Sequence, residues 1–234
     1  MYSSSNHTIN GDYDIRVSVD TKSMTWANSP SPTVLRKRLH LVGPPEAGQV
    51  TSVVKYLENS NFPSHDHPFG EEILVLDGVF SDEHGDWPAG TYLLNPEGFR
   101  HAPFSKKGCE LFVKLRQFPG NDRKHIELNT NQLVWQSTAQ VGIQEKSLYQ
   151  QAPYPDETRL LRLQPNTQLK RFYPGGAEIL VLDGSFHDSY GDYAQGTWIR
   201  LPVNSLLQAQ TVSGCTLYCK SNHLRDLIGS KQIP

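Results

Sequence analysis

The sequence predicts an all-β protein made of two tandem copies of one small barrel or sandwich. Three observations carry this. Residues 65–78 and 171–184 are the same segment written twice, ending in Glu-Ile-Leu-Val-Leu-Asp-Gly at Gly78 and at Gly184. From there a constant offset of 106 holds without a gap. It pairs Phe80 with Phe186, Asp82 with Asp188, Gly90-Thr91 with Gly196-Thr197, Pro96 with Pro202 and Gly108-Cys109 with Gly214-Cys215. Finally, short apolar, β-branched runs alternate with Gly, Pro, Asn and Asp, and no long helical stripe appears. A period this long is a duplicated domain rather than a solenoid unit.

In chain order, Met1–Pro32 is polar and Ser-rich; we expect partial disorder or an added edge strand. Trp26 and Trp135 each stand shortly before a valine (Val34, Val141) and are read as core residues opening each copy. Val50–Glu58 alternates as a strand, with Glu157–Gln164 as its copy. Glu72–Phe80 is an apolar strand, followed by the polar turn Ser81–Asp86. Gly90–Leu94 is the next strand, stopped by Asn95-Pro96. Cys109–Phe118 follows, closed by Pro119-Gly120, and Pro119–Asn131 reads as the linker. The expected divisions are an extension over 1–32, a metal-binding domain over 33–120 and a degenerate domain over 121–234.

His65, His67, Glu71 and His101 form the candidate metal site. Residues i and i+2 of a strand share a face, so His65 and His67 point together. Pro68-Phe69-Gly70 then turns the chain into the strand that Glu71 opens. Alternating histidines are commonly no more than solvated surface residues, but the second copy argues otherwise. There the four positions hold Arg171, Tyr173, Ala177 and Leu207, all lost together while their neighbours persist. Joint loss is expected of residues that serve one ion. One divalent transition metal per chain follows, with zinc first and iron, manganese or nickel as alternatives. Glu72 survives as Glu178, so it is read as structural, pairing a nearby backbone or basic group. Asp82 and Asp188 are read as turn residues. Cys109 and Cys215 share parity with inward leucines and valines and are read as buried, with a redox-responsive Cys109 as the sharper alternative. His7, His40, His84, His125 and His223 have no partner pattern. Phe62, Phe69, Phe99 and Phe104 are the apolar candidates for lining a pocket.

Composition excludes some classes. With a net charge of −2 over 234 residues and no basic stripe, direct nucleic-acid binding is not expected. No apolar run reaches the roughly 20 residues that span a bilayer, and the start does not read as a signal peptide. Three cysteines do not make a disulfide framework, so a cytoplasmic location is expected.

The pattern His65-x-His67-x3-Glu71-x6-Gly78, then Gly90-x5-Pro96-x4-His101, resembles the two cupin motifs. Glu71–Gly78, Gly85–Gly90, His101 and Gly108-Cys109 together resemble the ChrR-like cupin family, over roughly residues 22–223. The resemblance implies a bicupin, two tandem double-stranded β-helix (jelly-roll) barrels, with His65, His67, Glu71 and His101 as ligands and no site in the second barrel. It also implies a sensory or regulatory protein of the anti-sigma, oxidative-stress type. Such a protein would answer to a small-molecule ligand or an oxidant and act through a protein partner in transcription regulation. Met1–Pro32 has no cysteine and is too short for that family's sigma-binding helical domain. The alternatives are a non-haem metal-dependent dioxygenase acting on a small ketone or aromatic substrate, and a cupin that binds a metabolite without turnover. The second barrel would cover an exposed sheet face, and homodimerisation is open.

Overall fold

The computed structural model describes residues 8–120, 122–225 and 227. They divide into two compact units. The first joins the described residues up to Gly11 with Met24–Gln132; the second joins Asp12–Ser23 with the described residues from Leu133 on. No helix among the described residues is long and apolar enough to cross a membrane.

The two units repeat one antiparallel topology. In the first, the main sheet runs Ile126–Asn129, Thr91–Asn95, Glu71–Asp82, Cys109–Leu115, Gln49–Tyr56, Val34–Val42 and Ala27–Asn28. In the second it runs Val17–Asp20, Thr197–Leu201, Ala177–Asp188, Cys215–Ser221, Glu157–Leu163, Ile143–Gln150 and Gln136–Ser137. The expected strands are therefore present, and the stretch read as a linker contains one more. Val17–Asp20, which precedes the first copy, is an edge strand of the second unit. Ile126–Asn129, which precedes the second copy, is an edge strand of the first. The opening strands are thus exchanged.

The repeated glycines have a steric cause. Gly78 and Gly184 adopt φ of 73° and 70°. A Cβ there would meet the carbonyl oxygens of Gly108 and Gly214 at 2.2 and 2.1 Å, so only glycine fits both demands. Each pairs opposite a cysteine where the long strand bulges.

Alternation along the strands builds each core. Cys109, Leu111 and Val113 pack with Ile73, Val75 and Phe80 in the first unit. Cys215, Leu217 and Cys219 pack with Ile179, Val181 and Phe186 in the second. The tryptophans depart from expectation. Trp26 and Trp135 are half-exposed, and each ring lies against two cations: Lys37 and Lys55 for Trp26, Lys146 and Arg162 for Trp135. Cations favour the ring face, so these indoles cover the charged outer side of the sheet. Trp135 precedes Gln136–Ser137 as Trp26 precedes Ala27–Asn28, and Val34 corresponds to Ile143 rather than Val141. Glu72 and Glu178 are buried as structural residues, but aromatic groups supply the first partner: Tyr92 donates to Glu72 at 2.5 Å and Trp198 Nε1 to Glu178 at 3.0 Å. His223 also reaches Glu178, at 3.3 Å. His7 lies outside the described residues.

Candidate metal centre

Local chain geometry brings His65, His67, Glu71 and His101 together. His65 and His101 are direct cross-strand partners in the short pair His65–Asp66 and Arg100–His101. The His67 amide donates to the carbonyl of Phe99. Phe69 and Gly70, both with positive φ, turn the chain, closed by the Gly70 amide donating to the His67 carbonyl at 3.1 Å. Glu71 then opens the long strand opposite Asn95.

The ligand atoms converge. His67 Nε2 and His101 Nε2 are 2.9 Å apart. Glu71 Oε2 lies 3.4 Å from the first and 3.7 Å from the second. One nitrogen from each of His65, His67 and His101 falls within 4.8 Å of the others. Donors bound to one ion at about 2.1 Å stand about 3.0 Å apart at right angles and about 3.4 Å apart in a tetrahedron, so the spacings among His67, Glu71 and His101 are compatible with one ion, with His65 close by. His67, Glu71 and His101 are buried, and His65 stands at the rim.

Two imidazoles are oriented from behind. His101 Nδ1 bonds Asp82 Oδ2 at 3.0 Å and His65 Nδ1 bonds the Pro63 carbonyl at 2.8 Å. With the proton on each Nδ1, each Nε2 carries its lone pair. Asn95 Nδ2 donates to Glu71 Oε2 at 2.9 Å. Burial lowers the His101 pKa, but the bond to Asp82 and the charges of Glu71 and Asp82 outweigh it, and the net shift is upward. Burial also lowers His67, and Glu71 does not fully offset it.

Several expectations are corrected here. Asp82 is a turn residue, accepting from the amides of His84 and Gly85, but its other oxygen orients His101. Asn95, a strand stop by its sequence context, also holds Glu71. A signal for it existed, since Asn95 becomes Leu201 in the second copy. Cys109 is buried, and burial pushes its thiol up to about 11; a thiol so raised is poorly reactive near neutrality. Among the four candidate phenylalanines only Phe62 lines the adjoining cavity. Phe69 is half-exposed, Phe99 packs on His101 with ring centroids 5.7 Å apart, and Phe104 lies elsewhere.

That cavity has a volume of about 210 Å³. His65, His67, Glu71 and His101 line it together with an apolar wall that includes Val50, Phe62 and Leu111.

In the second unit the same positions are filled. Arg171 stands opposite Leu207 as His65 stands opposite His101. Tyr173 is fully buried against Cys219, at 3.5 Å from hydroxyl to sulfur, and burial drives its pKa well up. Ala177 and Leu207 join the apolar core.

Comparison with known proteins agrees with this geometry. The family model described as ChrR Cupin-like domain matches the chain twice, over residues 14–119 and 123–225. No protein with a curated description matches. Among solved structures, a putative dioxygenase from Nostoc punctiforme superposes with a TM-score of 0.74 at 16% identity, covering 90% of this chain and 84% of that one. The Escherichia coli bacterial pirin YhhW in complex with nickel(II) gives 0.66 at 12% identity, covering 88% and 98%. The Pseudoaminobacter salicylatoxidans salicylate 1,2-dioxygenase gives 0.64 at 10%, covering 93% and 84%. These identities establish a shared fold and no more. The chain belongs to the ChrR cupin-like domain family: it is a bicupin whose first barrel carries a three-histidine cluster compatible with a metal ion.

Proposed function

We propose that this ChrR cupin-like chain holds one divalent transition metal on His65, His67, Glu71 and His101, and works as a non-haem metal enzyme of the dioxygenase type on a small organic substrate. The observation that carries this is the cavity of about 210 Å³ opening onto the four side chains. Structural metal sites are closed, whereas catalytic ones keep an open position. A bound Fe, Mn or Ni ion would supply Lewis-acid and one-electron chemistry there. The chain's own residues do the rest. Asp82 and the Pro63 carbonyl keep the Nε2 atoms of His101 and His65 free to ligate, Asn95 holds Glu71, and the apolar wall limits water. Two solved neighbours named as dioxygenases, one of them putative, lend support by fold.

The family match supports a second reading, in which ligand binding at the same metal drives a regulatory output through a protein partner. The raised thiol of Cys109 speaks against that output passing through cysteine oxidation. Elemental analysis followed by oxygen-electrode assays of the Fe(II)-loaded chain with β-diketones and phenols separates the two. Oxygen uptake lost in His101→Ala is expected. Zinc alone, with no uptake across the panel, would select the regulatory reading.

A further inference from the structure

The cavity of the first barrel is lined by Arg36 where an aliphatic residue would be routine, and Arg38, two residues on, shares its counter-ion and also donates to the Pro45 carbonyl at 2.7 Å. Arg36 and Arg38 stand opposite Val54 and Ser52 in the strand register, and Arg36, Ser52, Val54 and Arg116 line the same cavity as the histidines. The counter-ion is Glu46, on the hairpin tip between Val34–Val42 and Gln49–Tyr56. Arg36 grips it with two bonds of 2.9 and 2.5 Å, and Arg38 adds one of 2.9 Å. The Glu46 side chain is 52% exposed against 19% and 20% for the arginines. Exposure weakens such pairs, but this one is bidentate, the stronger kind, and, against burial that raises it, the two arginines hold the Glu46 carboxyl below its ordinary range; a competitor must therefore offer a carboxylate of its own. Arg36 Nε, Arg38 Nε and Ser52 Oγ are buried with no hydrogen-bond partner. Buried donors in that state are costly, and Arg36 and Ser52 line the cavity, where an entering acceptor could meet them.

The second unit shows the contrast. Arg36 corresponds to Glu145 and Ser52 to Arg159, and these two bond each other directly at 2.7 Å. There both charges are strand-borne and neutralise each other. In the first unit the cations are built in while their anion is borrowed from a hairpin.

We propose that the ligand of the first barrel is a small carboxylic acid with an apolar or aromatic body, its carboxylate docking on Arg36 in place of Glu46, with Arg38 adding positive charge through the same counter-ion position, and its body lying along Val50, Phe62 and Leu111. This deepens the metal-enzyme reading and rests on it for the ligand's role, but the arginine pole can be tested without a metal. The cavity is below the roughly 300–1,000 Å³ of drug-sized sites, so the ligand is small. Benzoate and its neutral isostere benzamide, titrated calorimetrically into the full chain with metal and after chelation, supply the test. Benzoate should bind about tenfold or more tightly than benzamide, since charge-assisted bidentate pairing is the stronger kind. Glu46→Gln should tighten benzoate about tenfold by vacating Arg36, Arg36→Met should weaken it about tenfold and Arg38→Met by less, with circular dichroism showing the fold intact. The chelated protein should keep the preference for benzoate. Failure of the metal reading shows separately, as no ion in elemental analysis. Equal binding of the two probes, no benzoate binding, or a folded Glu46→Gln protein with unchanged benzoate affinity would each overturn the proposal.

Discussion

The strand pair that carries His65 and His101 is two residues long; its counterpart in the second unit runs for seven, Thr167–Tyr173 against Ser205–Thr211. Two prolines account for the break. Pro63 and Pro103 take the places of Leu169 and Ala209, which face each other in the intact ladder. Proline has no N–H to give, so neither can donate to the ladder; the Pro103 carbonyl still accepts from the Phe62 amide, and pairing resumes between Ser60–Asn61 and Phe104–Ser105. In the first unit the Pro63 carbonyl accepts from His65 Nδ1. The comparison teaches that the centre is made by opening a ladder and turning one released backbone group toward a ligand. The second unit closes the ladder and fills the space with Tyr173, Leu207 and the pairing of Arg159 with Glu145 and Glu157.

The most direct way to break this contrast is to truncate the corresponding residue on each side. His101→Ala should leave close to no ion in elemental analysis. Leu207→Ala should leave the ion content unchanged and lower stability by about 2–5 kcal/mol in urea melts, the usual result for a buried leucine. An ion lost from both variants, or two ions per wild-type chain, would undo the division of labour between the units. Next in size is Asp82→Asn, which should weaken metal binding about 10–100-fold in chelator competition, while Asp188→Asn should not move it. Asp188 instead pairs with Arg16 from the edge strand's approach. Smaller again, Pro63→Leu with Pro103→Ala should extend the ladder, draw the Pro63 carbonyl away from His65 and weaken the ion about tenfold. The smallest effect is expected in the second unit. Burial raises the Glu157 pKa, but Arg159 and Ser221 pull it below the ordinary 4.5. Its contribution is therefore present above that value and fades as pH falls through the folded value. Arg159→Met should cost about 1 kcal/mol at neutral pH, a figure discounted because the pair is partly solvated, and the gap to wild type should close in acid.

The duplication made much of this legible in the sequence. It marked the main strand segments, the recurrence of Gly78 as Gly184 and all four members of the cluster, because residues lost together in one copy stand out against those kept; the order of strands in the sheet and the bulges at those glycines were not legible. The same logic hid Asp82. That aspartate recurs because its turn bonds are needed in both units, and the extra bond to His101 leaves no trace in a comparison of residue types. Arg36 and Glu46 were invisible for another reason. Their pairing joins a strand to a hairpin tip ten residues on, and neither period nor spacing announces it. The tryptophans misled because hydrophobicity alone places an indole inside, whereas Lys37 and Lys146 make its flat face useful outside.

The exchanged opening strands carry a final consequence. Severing the chain at the seam between the family copies, near residue 121, would strip the half with the histidine cluster of Ile126–Asn129 and leave the other half without Val17–Asp20. Neither piece would be a whole barrel. The copy that lacks the histidine cluster is then no dispensable relic: it and the copy that carries the cluster are each finished with material from the other's stretch of chain, so neither stretch alone encodes a whole unit.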